Sequence, residues 1–367
     1  MRLSHTAVLL SSKLVLLLSA LVTVRLVTAH EDDDRAGRLA DPHALEEPRW
    51  ITHRTTPGER LVHTAVRFGV TPQELVQWND LASPRQRVPA GRRLKVHARR
   101  LPPERQRVTY VVQPGDTWAE VAIAHRVDRR MLQAYNWHKK RLQPGDELAI
   151  WTDPGIAPTV GVRHGPPIPE MIESEPGGAS VGRPQRGRIA DPVPLPERPW
   201  YTNGRPEWLW GSSHTIAQVQ AALASFRHRT GFEGEIVVGA ISRESGGPFP
   251  PHQSHQSGRD VDVRLPLLPG LASRPNPHPD EIDWSAAWEL VRAFIDTEQV
   301  QFIFLERKLQ RRLYEAARWA GVSHEELAAL IDWVDGRRTA PVRHARGHDG
   351  HIHVRIACAP DEDRCRG

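Results

Sequence analysis

The sequence has little cysteine and few aromatic residues. It contains 2 Cys in 367 residues, and aromatic residues make up 6% of the chain. Two thiols are too few for a structural metal site built on cysteines. In an exported chain, an even pair such as Cys358 and Cys365 favours a disulfide. The short loop that this bond closes would stabilise the fold by roughly 2–3 kcal/mol.

Long apolar runs and blocks of like charge are also scarce. Lys and Arg number 49 against 44 Asp and Glu, which gives a net charge of +5 without any arm-like basic block. The charge pattern therefore indicates no nucleic-acid partner. One apolar run, LVLLLSALVTV at 14–24, follows a basic start and is closed by Arg25. It is too short for a comfortable membrane span.

These features predict a secretory signal over residues 1–29, with cleavage after Ala29. An uncleaved N-terminal anchor is the alternative. No Cys follows the apolar run, which excludes a lipoprotein anchor. Both interpretations place the rest of the chain outside the cytoplasm, in the periplasm or the extracellular space. After cleavage we expect no stable membrane span.

Residues 49–153 contain an internal repeat. Pro57-Gly58 matches Pro114-Gly115, and Asn79 matches Asn136, all at a separation of 57 residues. Each copy follows the pattern strand, turn, helix, turn, helix, loop, strand. We therefore predict a flexible acidic leader at 30–48, repeat modules at 49–98 and 107–153, a Pro/Gly-rich semi-extended linker at 154–199, and a third domain at 200–367.

YVVQPGDTW at 110–118, VDRRMLQAYN at 127–136 and LQPGDEL at 142–148 resemble the lysin motif (LysM), a small βααβ module. The resemblance implies binding of N-acetylglucosamine-containing glycan through two loops. The implied contacts are Gly115, Asp116, Thr117, Asn136 and Trp137. Asn79 and Asn136 have an alternative interpretation as helix-end or turn residues, which Asn favours. The first copy departs from the pattern, with PGER in place of PGDT.

The third domain mixes helices and strands without regular βαβ alternation, so we expect an α+β fold with a central antiparallel sheet. Helices are predicted at 212–231, 285–295, 308–321 and 325–334, and strands at 235–242, 300–306 and 351–357. Its tryptophans at 284, 288, 319 and 333 are predicted to lie in the core and not to form substrate platforms.

Histidines cluster around two short motifs of this domain. His255 and Asp262 have the spacing H-x6-D, and His351 and His353 have the spacing H-x-H. In a chain with 19 His, each motif alone is expected about once by chance. Their clustering with His252 and His348 raises the odds of a functional site. Two imidazoles and a carboxylate can hold Zn²⁺ and leave a position for water. Residues two apart on a strand share a face, so His351 and His353 can enter one cleft.

SGGP at 245–248, SHQSGRDVDV at 254–263 and GHDGHIHVRI at 347–356 resemble the signature segments of penicillin-insensitive murein endopeptidases, which belong to the wider group of lysostaphin-type and D-Ala-D-Ala peptidases. The resemblance implies that His255, Asp262 and His353 bind zinc. It also implies that His351, His348 and His252 are active-site histidines, with His351 the leading general base. The implied reaction is hydrolysis of D-Ala–diaminopimelate crosslinks in peptidoglycan.

Two alternatives stay open at this point. One is a D,D- or L,D-carboxypeptidase or dipeptidase that uses the same zinc site. The other is a wall-binding scaffold with an inactive peptidase fold. Arg259, Asp260, His344 and Asp349 are expected to be supporting or surface groups.

Overall fold

In a computed structural model, residues 43–154, 168, 172 and 174–367 are described. The predicted signal at 1–29 lies outside the described residues. No helix of the described part of the chain is long and apolar enough to cross a membrane.

The first module consists of strand β1 (Ala44–Arg54), helices α1 (Leu61–Phe68) and α2 (Pro72–Trp78), and strand β2 (Arg93–Arg100). β1 and β2 pair in antiparallel fashion, and Leu94, Val96 and Ala98 of β2 point into a small apolar core. α2 begins with a capping box between Thr71 and Glu74. The predicted leader at 30–48 is too long, because β1 already begins at Ala44 and pairs with Arg100.

The second module repeats this order with β3 (Gln106–Val111), α3 (Trp118–Ala124), α4 (Arg129–Tyr135) and β4 (Glu147–Thr152). β3 and β4 are antiparallel. Thr117 and Asp128 accept backbone hydrogen bonds at the starts of α3 and α4, so each short helix has a side-chain cap.

The two modules are joined by a network of buried and half-buried charges. Glu59 of the first module is 4% exposed and accepts hydrogen bonds from His53, Thr64 and Arg105, the last from the segment between modules. Arg105 also contacts Asp153 at the end of the second module. Each of these carboxylates therefore has a cationic partner, as burial requires.

Part of the predicted linker at 154–199 belongs to the third domain. Strands β5 (Ala179–Arg183) and β6 (Arg186–Ala190) form a hairpin, followed by β7 (Val193–Pro194). Ser180 bonds to Ser257 and Glu362, and Val193 and Leu195 enter the core. Composition was misleading here, because Gly182 and Gly187 permit the close backbone approach of a hairpin rather than a tether.

The remaining strands are β8 (Thr202–Asn203), β9 (Trp210–Gly211), β10 (Val237–Ala240), β11 (Asp260–Arg264), β12 (Val300–Phe304), β13 (Val342–Arg343) and β14 (His351–Ile356). The helices are α5 (Ser213–Thr230), α6 (Trp284–Ile295), α7 (Arg307–Trp319), α8 (His324–Leu330) and α9 (Asp332–Asp335). The helix predicted at 325–334 is interrupted, because buried Ile331 adopts an extended conformation between α8 and α9.

Six strands form the main sheet of this mixed α/β domain, in the order β13-β12-β14-β11-β10-β8. Each of the four inner strands runs antiparallel to its inner neighbours. The edge strands β13 and β8 run parallel to their neighbours β12 and β10. The predicted disulfide is confirmed: Cys358 and Cys365 are bonded, with their Cα atoms 5.8 Å apart. It closes the C-terminal turn, where Arg364 and Arg366 exchange backbone hydrogen bonds with Gly182 of the hairpin.

Candidate active site

The centre of the sheet brings the two sequence motifs together. β11 and β14 pair so that Asp262 lies opposite His353, and Arg264 lies opposite His351. Val261 and Val263 are completely buried in the core below. Because side chains alternate along a strand, Asp260 and Asp262 share the opposite face. The strand pairing therefore sets the carboxylate beside the H-x-H histidines.

His255 reaches the same point from the loop before β11. Its φ of 70° lies in the left-handed region, which is unusual for a residue with a side chain. Its backbone N–H donates to Asp260 Oδ2 at 3.0 Å, and its Nδ1 lies 2.8 Å from the carbonyl oxygen of Ile241. An Nδ1–H that donates to this carbonyl leaves Nε2 unprotonated and directed at Asp262.

Two predicted metal ligands, His255 and His353, each lie close to the third, Asp262. Asp262 Oδ1 lies 3.4 Å from His255 Nε2 and 3.1 Å from His353 Nδ1. Ligands placed about 2 Å from a tetrahedral zinc ion are about 3.3 Å apart, so the two separations from Asp262 Oδ1 fit zinc. Among the described residues, His255 Nε2 and Asp262 Oδ1 are buried without a hydrogen-bond partner. Buried polar atoms normally have a partner, and a shared cation would supply one.

Asp260 supports this site from below. It is fully buried, and Arg355 donates to both of its oxygens at 2.7 and 3.0 Å. His353 Nε2 lies 3.5 Å from Asp260 Oδ1. Burial alone would lower the pKa of His353, but the carboxylates of Asp260 and Asp262 raise that pKa to about 9. Asp260 is thus a buried supporting group and not a surface residue.

The three predicted active-site histidines surround the ligand set. His351 Nε2 lies 3.6 Å and His252 Nδ1 lies 3.5 Å from an oxygen of Asp262. The ring of His348 is 5.0 Å from that of His351 and 5.3 Å from that of His353. Burial lowers the pKa of all three histidines, and burial together with neighbouring His353 and His351 lowers that of His348 to about 4. At neutral pH these imidazoles are therefore neutral and able to accept a proton.

Aromatic walls were missed by the sequence interpretation. Phe249 packs against His252 at 4.8 Å between ring centroids, and Trp208 lies edge-on to both. Phe304 of β12 packs on His353 at 5.4 Å. The strand register accounts for the position of Phe304, which lies directly opposite His353 in the sheet. Of the other expected supporting groups, buried Arg259 bonds to carbonyls at the C-terminus, and Asp349 pairs with Lys308 at the surface.

The glycan-contact residues predicted in the second module do not share one environment. Around Gly115, an added Cβ would meet no atom of the described residues within 4 Å, and Trp137 is 79% exposed. Asp116 accepts hydrogen bonds from Tyr110 and Gln113, and Thr117 caps α3. Asn136 is 2% exposed and bonds to Leu132 and Ala149, so the helix-end interpretation describes its position, and its side chain does not face the solvent.

A family model described as penicillin-insensitive murein endopeptidase matches residues 180–367, just over half of the chain. The chain belongs to this family. A LysM domain model matches residues 53–97 and 110–151, so two LysM domains precede the peptidase domain. The resemblance of the chain to both families is thereby confirmed. The peptidase match begins within the β5–β6 hairpin, in agreement with the place of that hairpin in the third domain.

Individual relatives match parts of the chain. The membrane-bound lytic murein transglycosylase D of Escherichia coli (strain K12) is 32% identical over 26% of this chain and 21% of its own length. The penicillin-insensitive murein endopeptidase of Yersinia enterocolitica is 28% identical over 36% of this chain and 48% of its own length. That of Salmonella arizonae is 24% identical over 54% of this chain and 74% of its own length. The chain thus spans about a fifth of the length of the first relative named here.

Proposed function

We propose that this murein endopeptidase is a zinc-dependent D,D-endopeptidase that acts outside the cytoplasm on D-Ala–diaminopimelate crosslinks of peptidoglycan. The observation that carries the proposal is that His255 Nε2 and His353 Nδ1 lie 3.4 and 3.1 Å from the same oxygen, Asp262 Oδ1. A zinc ion held there would polarise the scissile carbonyl and acidify an attacking water.

The surrounding side chains supply the proton transfers. His351 has an exposed fraction of 27% for its side chain and borders the ligand set, so it can meet both substrate and water. With its pKa lowered by burial, it accepts the proton of the attacking water as a neutral base. His351 or His348 then returns a proton to the leaving amine. His348 Nδ1 lies 3.0 Å from the carbonyl oxygen of Arg346, which directs its Nε2 away from this carbonyl.

The LysM domains supply attachment to the wall glycan. In the second domain the open loop at Gly115 and the exposed indole of Trp137 are the surfaces that can contact sugar. Attachment raises the local concentration of crosslinks around the peptidase domain. Once the LysM domains are bound to glycan, the peptidase domain meets a crosslink within the same complex.

The bond that is cleaved is tested with defined muropeptides. The chain with zinc is incubated with a crosslinked dimer, a tetrapeptide and a pentapeptide, and the product masses are determined. Release of monomers from the dimer alone supports the endopeptidase. Loss of a terminal residue from the tetrapeptide or pentapeptide would instead support a carboxypeptidase, and no product would support a scaffold.

A further inference from the structure

We propose a second saccharide site on the outer sheet face of the first LysM domain, centred on Trp50, that takes a sugar ring whose attached peptide carries carboxylates. The side chains of β1 and β2 on this face alternate with those that fill the core, and Trp78 at the end of α2 reaches the face. The site rests on the proposed function, since its ligand is the peptide-bearing glycan of peptidoglycan.

An aromatic cluster gives the face its shape. The indole of Trp50 is 58% exposed and lies over His97, with ring centroids 4.8 Å apart and planes inclined by 31°. Trp78 of α2 meets it edge-on at 5.3 Å. Together with Ile51, Thr52 and Lys95 the two indoles line an open depression of about 540 Å³. An exposed indole held in place by two rings presents a rigid apolar surface that a pyranose ring can cover.

The charge of the face selects an anionic ligand. Strand pairing sets Lys95 opposite Thr52, and Arg93 opposite Arg54, on the same side as Trp50. Lys95 lines the depression, Arg54 and Arg93 lie further along the same face, and no carboxylate is among the lining residues. A sugar stacked on Trp50 would therefore have a carboxylate of its peptide near the Lys95 ammonium and its hydroxyls near Thr52.

The packing of the first domain explains why contact would move to this face. The loop after β1 packs against α4 of the second domain, since a Cβ at Gly58 would lie 3.0 Å from Ala134 and 3.1 Å from Met131. Gly115 occupies the matching position of the second domain and meets no atom of the described chain within 4 Å. The loop is thus open in the second domain and obstructed in the first.

The second domain does not reproduce the site. Arg107 pairs with Trp151 at the positions that Trp50 and His97 occupy, and Ala149 replaces Lys95. The two domains therefore offer different surfaces, one at the loops and one at the sheet. A single strand of glycan could contact both.

The test uses the full chain labelled with 5-fluorotryptophan and a soluble disaccharide-tetrapeptide, which has no crosslink to cleave. The Trp50 resonance is assigned with Trp50→Phe and followed by ¹⁹F NMR during titration. We expect a saturable shift, a Kd about tenfold weaker for Trp50→Ala, followed through another tryptophan, and about threefold weaker for Lys95→Ala. The control Arg87→Ala removes an exposed cation of the same domain that does not line the depression, and it should change the Kd less.

A Trp50 resonance that does not move while the Trp137 resonance does would overturn the proposal. Equal effects of Lys95→Ala and Arg87→Ala would also overturn it, because they would show general attraction of charge. Neutral N-acetylglucosamine oligomers should bind this face more weakly than the disaccharide-tetrapeptide. Cleavage of soluble dimers, measured in parallel, reports on the peptidase site and so separates failure here from failure of the proposed function.

Discussion

Asp262 and His353 face each other across the antiparallel pair β11–β14, with Oδ1 and Nδ1 separated by 3.1 Å. Sheet geometry fixes this pair, because directly opposed residues project on the same face. His255 completes the set from a loop whose backbone is held by Asp260. The proposed zinc site is therefore built on two rigid strands and one constrained turn.

Removal of a ligand should abolish both metal binding and cleavage. His353→Ala leaves two ligands, too few for the three-ligand catalytic site that zinc enzymes use. We expect no stoichiometric zinc by elemental analysis and no dimer cleavage. His344→Ala is the matched control, since His344 contacts the backbone of Arg307 away from the ligand set. Zinc retained at wild-type affinity in His353→Ala would refute the ligand assignment.

Asp260 should tune the metal site without touching the metal. Asp260→Asn keeps the size and shape of the side chain but removes the negative charge beside His353. Loss of such a partner of a metal ligand typically costs about 10–100-fold in metal affinity. Competition with a chelator measures this directly, whether or not the variant is active. Asp349→Asn, which changes an exposed carboxylate that pairs with Lys308, should leave the affinity unchanged. A wild-type zinc affinity in Asp260→Asn would exclude the positioning role.

The zinc affinity should depend on pH. In the metal-free chain the pKa of His353 is raised to about 9, so zinc must displace a proton at neutral pH. The affinity should rise about tenfold per pH unit for this one proton and level off above the pKa. Calorimetry in buffers of different ionisation enthalpy counts the released proton. An affinity that is constant between pH 6 and 8 would contradict this account.

The same raised pKa has the opposite effect on the stability of the metal-free fold. A histidine with a folded pKa of about 9 contributes its full stabilisation below the unfolded value of about 6.5. That contribution is lost as the pH rises through 9. The melting temperature of the zinc-free chain should therefore fall over this range, and His353→Ala should lessen the fall.

Glu59 should hold the LysM pair together. Burial would raise its pKa, but His53 and Arg105 hold that pKa well below its usual range. Its stabilisation is present above the unfolded pKa of about 4.5 and is lost as the pH falls below it. Glu59→Gln leaves Arg105 without this buried partner. It should destabilise the two LysM domains by about 3 kcal/mol at neutral pH. Calorimetry of the whole chain measures the change, with exposed Glu46→Gln as the control expected to have little effect.

The sequence predicted much of this site because the motifs lie on regular elements. Alternation in Asp260–Arg264 and His351–Ile356 indicates which side chains share a face, and the structure pairs these two strands. The same alternation indicates on which face of its strand each of Asp260 and Arg355 lies. The sequence does not show that these two strands are neighbours. Long-range pairing and the turn at His255 depend on tertiary contacts, so local pattern could not reveal them.

The boundaries were less predictable. Pro- and Gly-rich composition indicated a tether over 154–199, yet the glycines at 182 and 187 serve a hairpin packed against the C-terminal turn. Likewise, an acidic sequence concealed the start of β1 at Ala44, because pairing with β2 outweighs the weak strand preference of Glu. Asn136 occupies the same repeat position as Asn79, but its side chain is buried. The repeat therefore indicates a shared fold and does not show that this residue contacts glycan.

The most direct test of the central claim is mass spectrometry of a crosslinked muropeptide dimer digested by the chain after metal removal and after zinc is restored. We predict no monomers from the metal-free chain and full recovery of monomer release with stoichiometric zinc. Undiminished cleavage by a chain shown to contain no metal would contradict the proposed zinc mechanism.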